Sequence, residues 1–158
     1  MKSAVNAGSA AAPVAGRMFA MSEPARRVAT WNDLAATPDD GRVYEVLDGE
    51  VEASPRPLPV HSRAQAIMAS EIAGPFDRGR GGHGGWWILI KLDVELGDHQ
   101  IVVPDLAGWL RSRLINLAQE RPITTVPDWI CEVVSPSERG RDRLRKADLY
   151  LRVGVPHY

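Results

Sequence analysis

Two acidic residues stand where an acid is costly. Asp105 follows the apolar run Ile101-Val102-Val103-Pro104, and Glu132 follows Trp129-Ile130-Cys131. Each run reads as a buried strand, and an ionised carboxylate carried into a sheet interior is unfavourable unless a metal, a cation or hydrogen bonds compensate it. Asp128, Ile130, Glu132 and Val134 share one face of their strand, and Asp105 shares a face with Ile101, Val103 and Ala107. If the two strands pair, their acids meet at one end of the sheet. Carboxylates about 4–6 Å apart repel each other unless a cation intervenes. Hard oxygen ligands favour magnesium or manganese, which polarise a phosphate and lower the pKa of an attacking water. Phosphodiester hydrolysis is therefore the chemistry this pair suggests. An acid at a strand end reads as simply solvated just as well, and spacing alone leaves both readings open.

The remaining candidates are each two-sided. Glu45, between Tyr44 and Val46, extends the acidic cluster or is an exposed cross-strand charge. Arg139, Arg141, Arg143, Arg145 and Lys146 form the one dense basic stretch. It binds a phosphate backbone beside the acids, or it is a solvated helix face balanced by Glu138, Asp142 and Asp148. With 19 basic and 20 acidic side chains the chain has no global positive field, so any nucleic-acid binding must be local. The single Cys131 excludes an intrachain disulfide framework and a multi-cysteine zinc site, and it fits a cytoplasmic protein. Residues 79–85, rich in glycine, lack the Gly-Lys-Ser/Thr of a phosphate-binding loop and read as a mobile loop. Trp86 and Trp87 read as core or sheet-surface aromatics. His83 and His99 are assigned no role.

The elements that must position these groups follow from periodicity. With 44% apolar residues, the 158-residue chain is long enough for one globular domain. Residues 1–29, rich in Ala, Gly and Ser, read as a disordered leader, and residues 30–158 as the domain. No run of about 18 apolar residues exists to span a membrane. Thr30 caps a short helix at 31–35. Asp48-Gly49 joins strands 43–47 and 50–53 in a hairpin, and Ser54 to Pro59 is a loop. Ser62 and Gln65 have capping-box spacing for a helix over 63–72, which Gly74-Pro75 should end. Over 86–96 the period is two, with Trp86, Ile88, Ile90, Leu92, Val94 and Leu96 on one face and Lys91, Asp93 and Glu95 on the other. Strand 101–109 follows the turn at Gly97-Asp98-His99. Residues 111–127 read as a surface excursion and 128–134 as a strand. Ser137 or Asp142 caps a last helix that runs to Arg152 and stops at Gly154. The expected fold is mixed α+β, a central mixed sheet flanked by helices.

Read in order, the motifs resemble a known family. They are Tyr44-Glu45-Val46-Leu47-Asp48-Gly49-Glu50, His61-Ser62, Pro104-Asp105, Pro127 through Ser137, Asp142-Arg143, Lys146, Tyr150, Gly154-Val155-Pro156 and Tyr158. The series, over about residues 31–158, is similar to the Uma family of predicted restriction endonucleases within the PD-(D/E)XK nuclease-like superfamily. The resemblance implies a restriction-endonuclease-like core and Mg2+ (or Mn2+) held by Asp105 and Glu132, with the Val133 carbonyl as a further ligand and Glu45 extending the shell. It implies DNA as partner, with His61 in proton transfer or phosphate contact, and a homodimer as the simplest way to cut two strands. Arg141, Arg143 and Arg145 of the basic stretch are the candidate contacts to the DNA backbone. Three departures stand out. Val134 occupies the place of the superfamily lysine, and Lys146 on the following helix is its matching replacement or a solvated lysine. Related chains continue past Gly-Val-Pro-x-Tyr with another strand. Pro127-Asp128 duplicates the Pro-Asp signature, and Asp128 is expected to begin its strand at the surface while Asp105 binds metal. Against the endonuclease stands a catalytically inactive nuclease-fold protein that serves as a nucleic-acid-binding or oligomerisation module.

Overall fold

The computed structural model describes residues 27–114, 116–117, 121–134 and 140–158, with backbone alone at 140–142. Most of the expected leader, the proposed cap Ser137 and the basic Arg139 lie outside these residues. Ala29 N–H donates to the Gly49 carbonyl at 2.8 Å, so the chain leading into the domain packs on the tip of the first hairpin.

Helix α1 (Trp31–Ala35) is opened by Thr30, whose N–H donates to Asp33 Oδ2 at 2.8 Å. Strands β1 (Val43–Leu47) and β2 (Glu50–Ser54) form the expected hairpin. Its two turn residues, Asp48 (φ 51°) and Gly49 (φ 77°), are both left-handed, as a two-residue turn between right-twisted strands requires. Helix α2 (Pro59–Ile72) begins earlier than the capping-box spacing predicts. Pro59 is pre-set for a first helical turn and has no N–H to lose there. Ser62 therefore sits inside the helix, donating its N–H to Leu58 O. Nor does Gly74-Pro75 stop the chain's coiling, since a wider π-type turn (Ala73–Asp77) carries it onward.

The two strands expected at 86–96 and 101–109 are each broken in the middle. β3 (Trp86–Ile90) and β6 (Leu106–Leu110) pair antiparallel in one sheet, while β4 (Val94–Glu95) and β5 (Ile101–Val102) pair in the other. Ile90 stands opposite Leu106 and Val94 opposite Val102, so the register is the same on both sides of the break. Residues 91–93 and 103–105 drop out of the ladder together, with Lys91 placed opposite Asp105. Lys91 in this break is left-handed (φ 50°), and the alternation of faces changes across it. The predicted six-residue apolar stripe is accordingly corrected. Trp87 and Leu89 pack on the core before the break, and Val94 and Leu96 after it, while Ile90 and Leu92 are exposed.

The result is a four-stranded sheet, β2-β1-β5-β4, continued through the bent hairpin into a three-stranded sheet, β3-β6-β7, with β7 at Trp129–Cys131. Two parallel bridges, Val94 to Ile123 and Trp129 to His157, give the layer its mixed character. Residues 111–127 are no mere surface excursion, since Leu114 and Ile123 are buried. The main core joins Val94, Val102, Trp109, Ile130, Leu149 and Tyr150 across both sheets. Helix α3 (Gly140–Arg152) covers it and ends before the left-handed Gly154 (φ 82°). Among the described residues no helix is long and apolar enough to cross a membrane.

Candidate functional site

A hairpin that changes sheets midway leaves backbone groups unpaired at the change, and buried unpaired N–H groups are costly. Side chains satisfy them here, and they are the acids singled out above. Val103 N–H donates to Glu45 Oε1 at 2.7 Å, and Asp105 N–H to Glu132 Oε2 at 3.3 Å. Pro104 between them has no N–H. The Asp105 carbonyl accepts from Gln65 Nε2 at 2.8 Å. Asp105 in turn reaches across to the end of β7, where its Oδ2 accepts the Val133 N–H at 2.7 Å. Asp105 and Glu132 thus meet at the seam between the sheets.

Two helices complete the group, each with a pair of side chains one turn apart. From α2, His61 Nε2 donates to Asp105 Oδ1 at 3.0 Å, and Gln65 holds the carbonyl of the same residue. Gln65 is therefore a buttress of Asp105 and not the cap partner that its spacing from Ser62 suggests. From α3, Tyr150 donates its phenolic O–H to Glu132 Oε1 at 2.7 Å. Lys146 Nζ lies 2.7 Å from Glu45 Oε1 and 3.5 Å from Glu132 Oε1. One ammonium thus bridges carboxylates from the two sheets. Tyr150 is fully buried and Leu149 beside it lies in the core, which fixes the helix face that presents Lys146.

A second lysine, unmarked in the sequence pattern, joins the site from the broken strand. Lys91 Nζ sits 2.5 Å from Asp105 Oδ1, the oxygen that His61 also contacts. Its presence follows from the matched break. Opposite residues on paired strands are neighbours, and the only sequence sign of the break was a proline in the partner strand.

The electrostatics differ between the two acids. Burial pushes the Asp105 carboxyl up, but Lys91, the Val133 N–H and His61 outweigh it and hold the group below its ordinary 3.8. Burial wins at Glu132. With the charges of Asp105 and Glu45 added, it raises that carboxyl above its ordinary 4.5 against the pull of Lys146 and Tyr150. Lys146 is raised well above its usual range, since Glu132 and Glu45 outweigh its desolvation, and so it stays charged. Burial and then the Glu132 carboxylate push the Tyr150 phenol far up, keeping it a proton donor. Cys131, next to Glu132, is raised by burial and by both acids, which makes it a poor nucleophile.

Among the described residues no three Asp, Glu, His or Cys side chains converge closely enough to hold a metal by themselves. A magnesium-like cation needs fewer, since it commonly takes one or two carboxylates and fills its other positions with water and substrate oxygens. The donor chemistry fits. Asp105 and Glu132, joined through the Asp105 N–H, supply hard carboxylate oxygens, and Asp105 Oδ1 already accepts a cation in the form of the Lys91 ammonium.

The basic stretch separates into parts. Arg145 pairs with Asp48 Oδ2 at 2.7 Å and Glu52 Oε1 at 2.5 Å, tying α3 to the first hairpin. Arg143 is exposed, and the Arg141 side chain lies outside the described atoms. His61 is largely buried, with its ring turned onto Asp105. Asp128 is corrected. It is buried, its Oδ2 accepts the Leu110 N–H at 2.9 Å, and Oδ1 pairs with Arg113.

No curated protein matches the chain. The fold is similar to the crystal structure of a "putative nuclease belonging to DUF820" from Anabaena variabilis. The two share 20% identity over 77% of this chain, with a TM-score of 0.63, and the match spans 66% of that chain. Residues 31–158 match the family model Uma2, described as "Putative restriction endonuclease", and the chain belongs to that family.

Proposed function

We propose that the protein is a divalent-metal-dependent endonuclease that hydrolyses phosphodiester bonds in DNA, working in the cytoplasm as a homodimer. One observation carries the reading: Asp105 and Glu132, 27 residues apart, meet at the seam through the Asp105 N–H to Glu132 bond, with the Lys146 ammonium beside Glu132. Asp105 and Glu132 would hold Mg2+ or Mn2+, with the Val133 carbonyl as a further ligand. When bound, the cation supplies Lewis acidity toward the phosphate and a lowered pKa for water.

In hydrolysis the water oxygen bonds to phosphorus, the ester P–O bond breaks, and a proton reaches the departing oxygen. Lys146, permanently charged, offsets negative charge as it builds on the phosphate or orients the water. Tyr150 fixes the Glu132 carboxylate through its O–H. Glu45 holds Lys146 from the other side, which supports a positioning role for it beside its part as an outer member of the acidic shell. His61 fixes Asp105 Oδ1, and its role is to orient that carboxylate and contact phosphate. Arg143 with Arg141 supplies charge along the DNA backbone, while Arg145 serves first to hold the hairpin.

Incubation of purified protein with supercoiled plasmid DNA tests the reading. Nicking or linearisation in Mg2+ or Mn2+, loss with chelator, and loss in both Asp105→Ala and Glu132→Ala are expected. Undiminished cutting by either variant rejects the site. DNA binding without metal-dependent cutting favours a nuclease fold kept as a binding module.

A further inference from the structure

Lys91 is the second lysine paired with the acids at the seam, and its place differs from that of Lys146. Lys146 lies between Glu45 and Glu132, whereas Lys91, among the described residues, pairs with Asp105, 2.5 Å from Oδ1. Oδ2 of Asp105 accepts the Val133 N–H, and Oδ1, which His61 also contacts, is the oxygen on which the Lys91 ammonium sits. The Lys91 side chain is 31% exposed against 3% for Asp105, so its ammonium stands between a buried carboxylate and solvent. It is also held by unusual backbone, since Lys91 is left-handed at a break where its strand has let go of its partner. A non-glycine residue there is disfavoured. Without that turn, residue 91 would continue the β3 ladder.

We propose that Lys91 is a built-in competitor for the divalent cation: its ammonium occupies the cation position on Asp105 and must be displaced before a metal binds there. This rests on the metal-site reading above and names the residue that sets how readily the site fills. With all three carboxylates ionised, the two lysines leave the group one charge short of neutral. A divalent cation reverses that sign, and an incoming phosphodiester restores neutrality only while Lys91 remains nearby. The displaced ammonium therefore stays at the mouth of the site as a counter-charge for substrate.

Calorimetric titration of Mn2+ alone into the full-length protein tests this without DNA or activity. Wild type, Lys91→Met, Lys91→Arg and Asp105→Ala are compared, with circular dichroism of each to establish the fold. Lys91→Met is expected to bind Mn2+ about tenfold more tightly or better, because a unit charge a few ångströms away has been removed. Lys91→Arg keeps the charge and should bind as weakly as wild type, and Asp105→Ala should lose the site. Equal affinity of wild type and Lys91→Met overturns the competitor role while leaving the metal site standing. No heat from any variant overturns both. Should Lys91→Met fail to fold, Lys91→Gln replaces it, judged by the same two outcomes.

Discussion

Asp105 and Asp128 begin alike. Each follows a fully buried proline, each is itself buried, and each stands just before a strand of the same sheet. Their surroundings diverge. Asp128 accepts the Leu110 N–H and pairs with Arg113, both drawn from the one neighbouring segment, and so closes a local turn. Asp105 gathers His61 from α2, Lys91 from the break after β3, Val133 from the end of β7, and Glu132 through its own N–H. The contrast teaches that burial alone does not mark a reactive acid. Several further ionisable groups brought to the same point by separate elements are what the proposed function rests on, because the fold brings them together at a desolvation cost that local structure does not require.

The largest effect expected from this contrast is on cleavage. Asp105→Asn should lower plasmid cutting by about 10³-fold, with Asp128→Asn leaving the rate within a factor of a few; comparable losses in both would erase the distinction. Stability should divide the other way. Asp128→Ala leaves the Leu110 N–H and Arg113 without their acceptor and should cost about 1.5–3 kcal/mol in urea unfolding, with Mn2+ affinity unchanged.

A subtler division lies in pH. Asp105 has a folded pKa below 3.8, so it stabilises the fold above that value, and the benefit is lost as pH falls through the lower folded value. Glu132 runs opposite. Its folded pKa lies above 4.5, so the folded state binds more protons, and stability falls as pH rises from 4.5 through that higher value. In metal-free protein, melting temperatures against pH should show a flattened acid limb for Asp105→Asn and a smaller decline above pH 4.5 for Glu132→Gln. Identical profiles for the two variants would contradict the assignment. The smallest effect concerns salt. Arg143→Ala should reduce the slope of log affinity for DNA against log salt by about 0.9. Arg145→Ala should act mainly through loss of its pairs with Asp48 and Glu52.

Much of this was readable in the amino-acid order where chemistry is local. Asp48-Gly49, the Thr30 cap and the Gly154 stop depend on one or two residues and their immediate backbone, and they stand as expected. The meeting of Asp105 with Glu132 was legible because two apolar runs each ended on an acid. Lys91 was not, for the alternation of apolar residues passes through it unbroken, and a left-handed lysine carries none of the marks that glycine would. Nor was the burial of Asp128, which depends on Arg113 from a segment without periodicity. Both misses concern a side chain whose partner stands on a neighbouring segment and leaves no mark in the local pattern.

Because the acids also accept the N–H groups stranded where the hairpin changes sheets, the proposed chemistry and the architecture share the same atoms. Erasing a carboxylate with alanine removes an acceptor from the seam as well as a ligand, so a dead variant made that way is a loosened one. Faithful silent copies of this protein, for trapping a bound target intact, are therefore expected from amide replacements that keep one oxygen facing Val103 and Asp105.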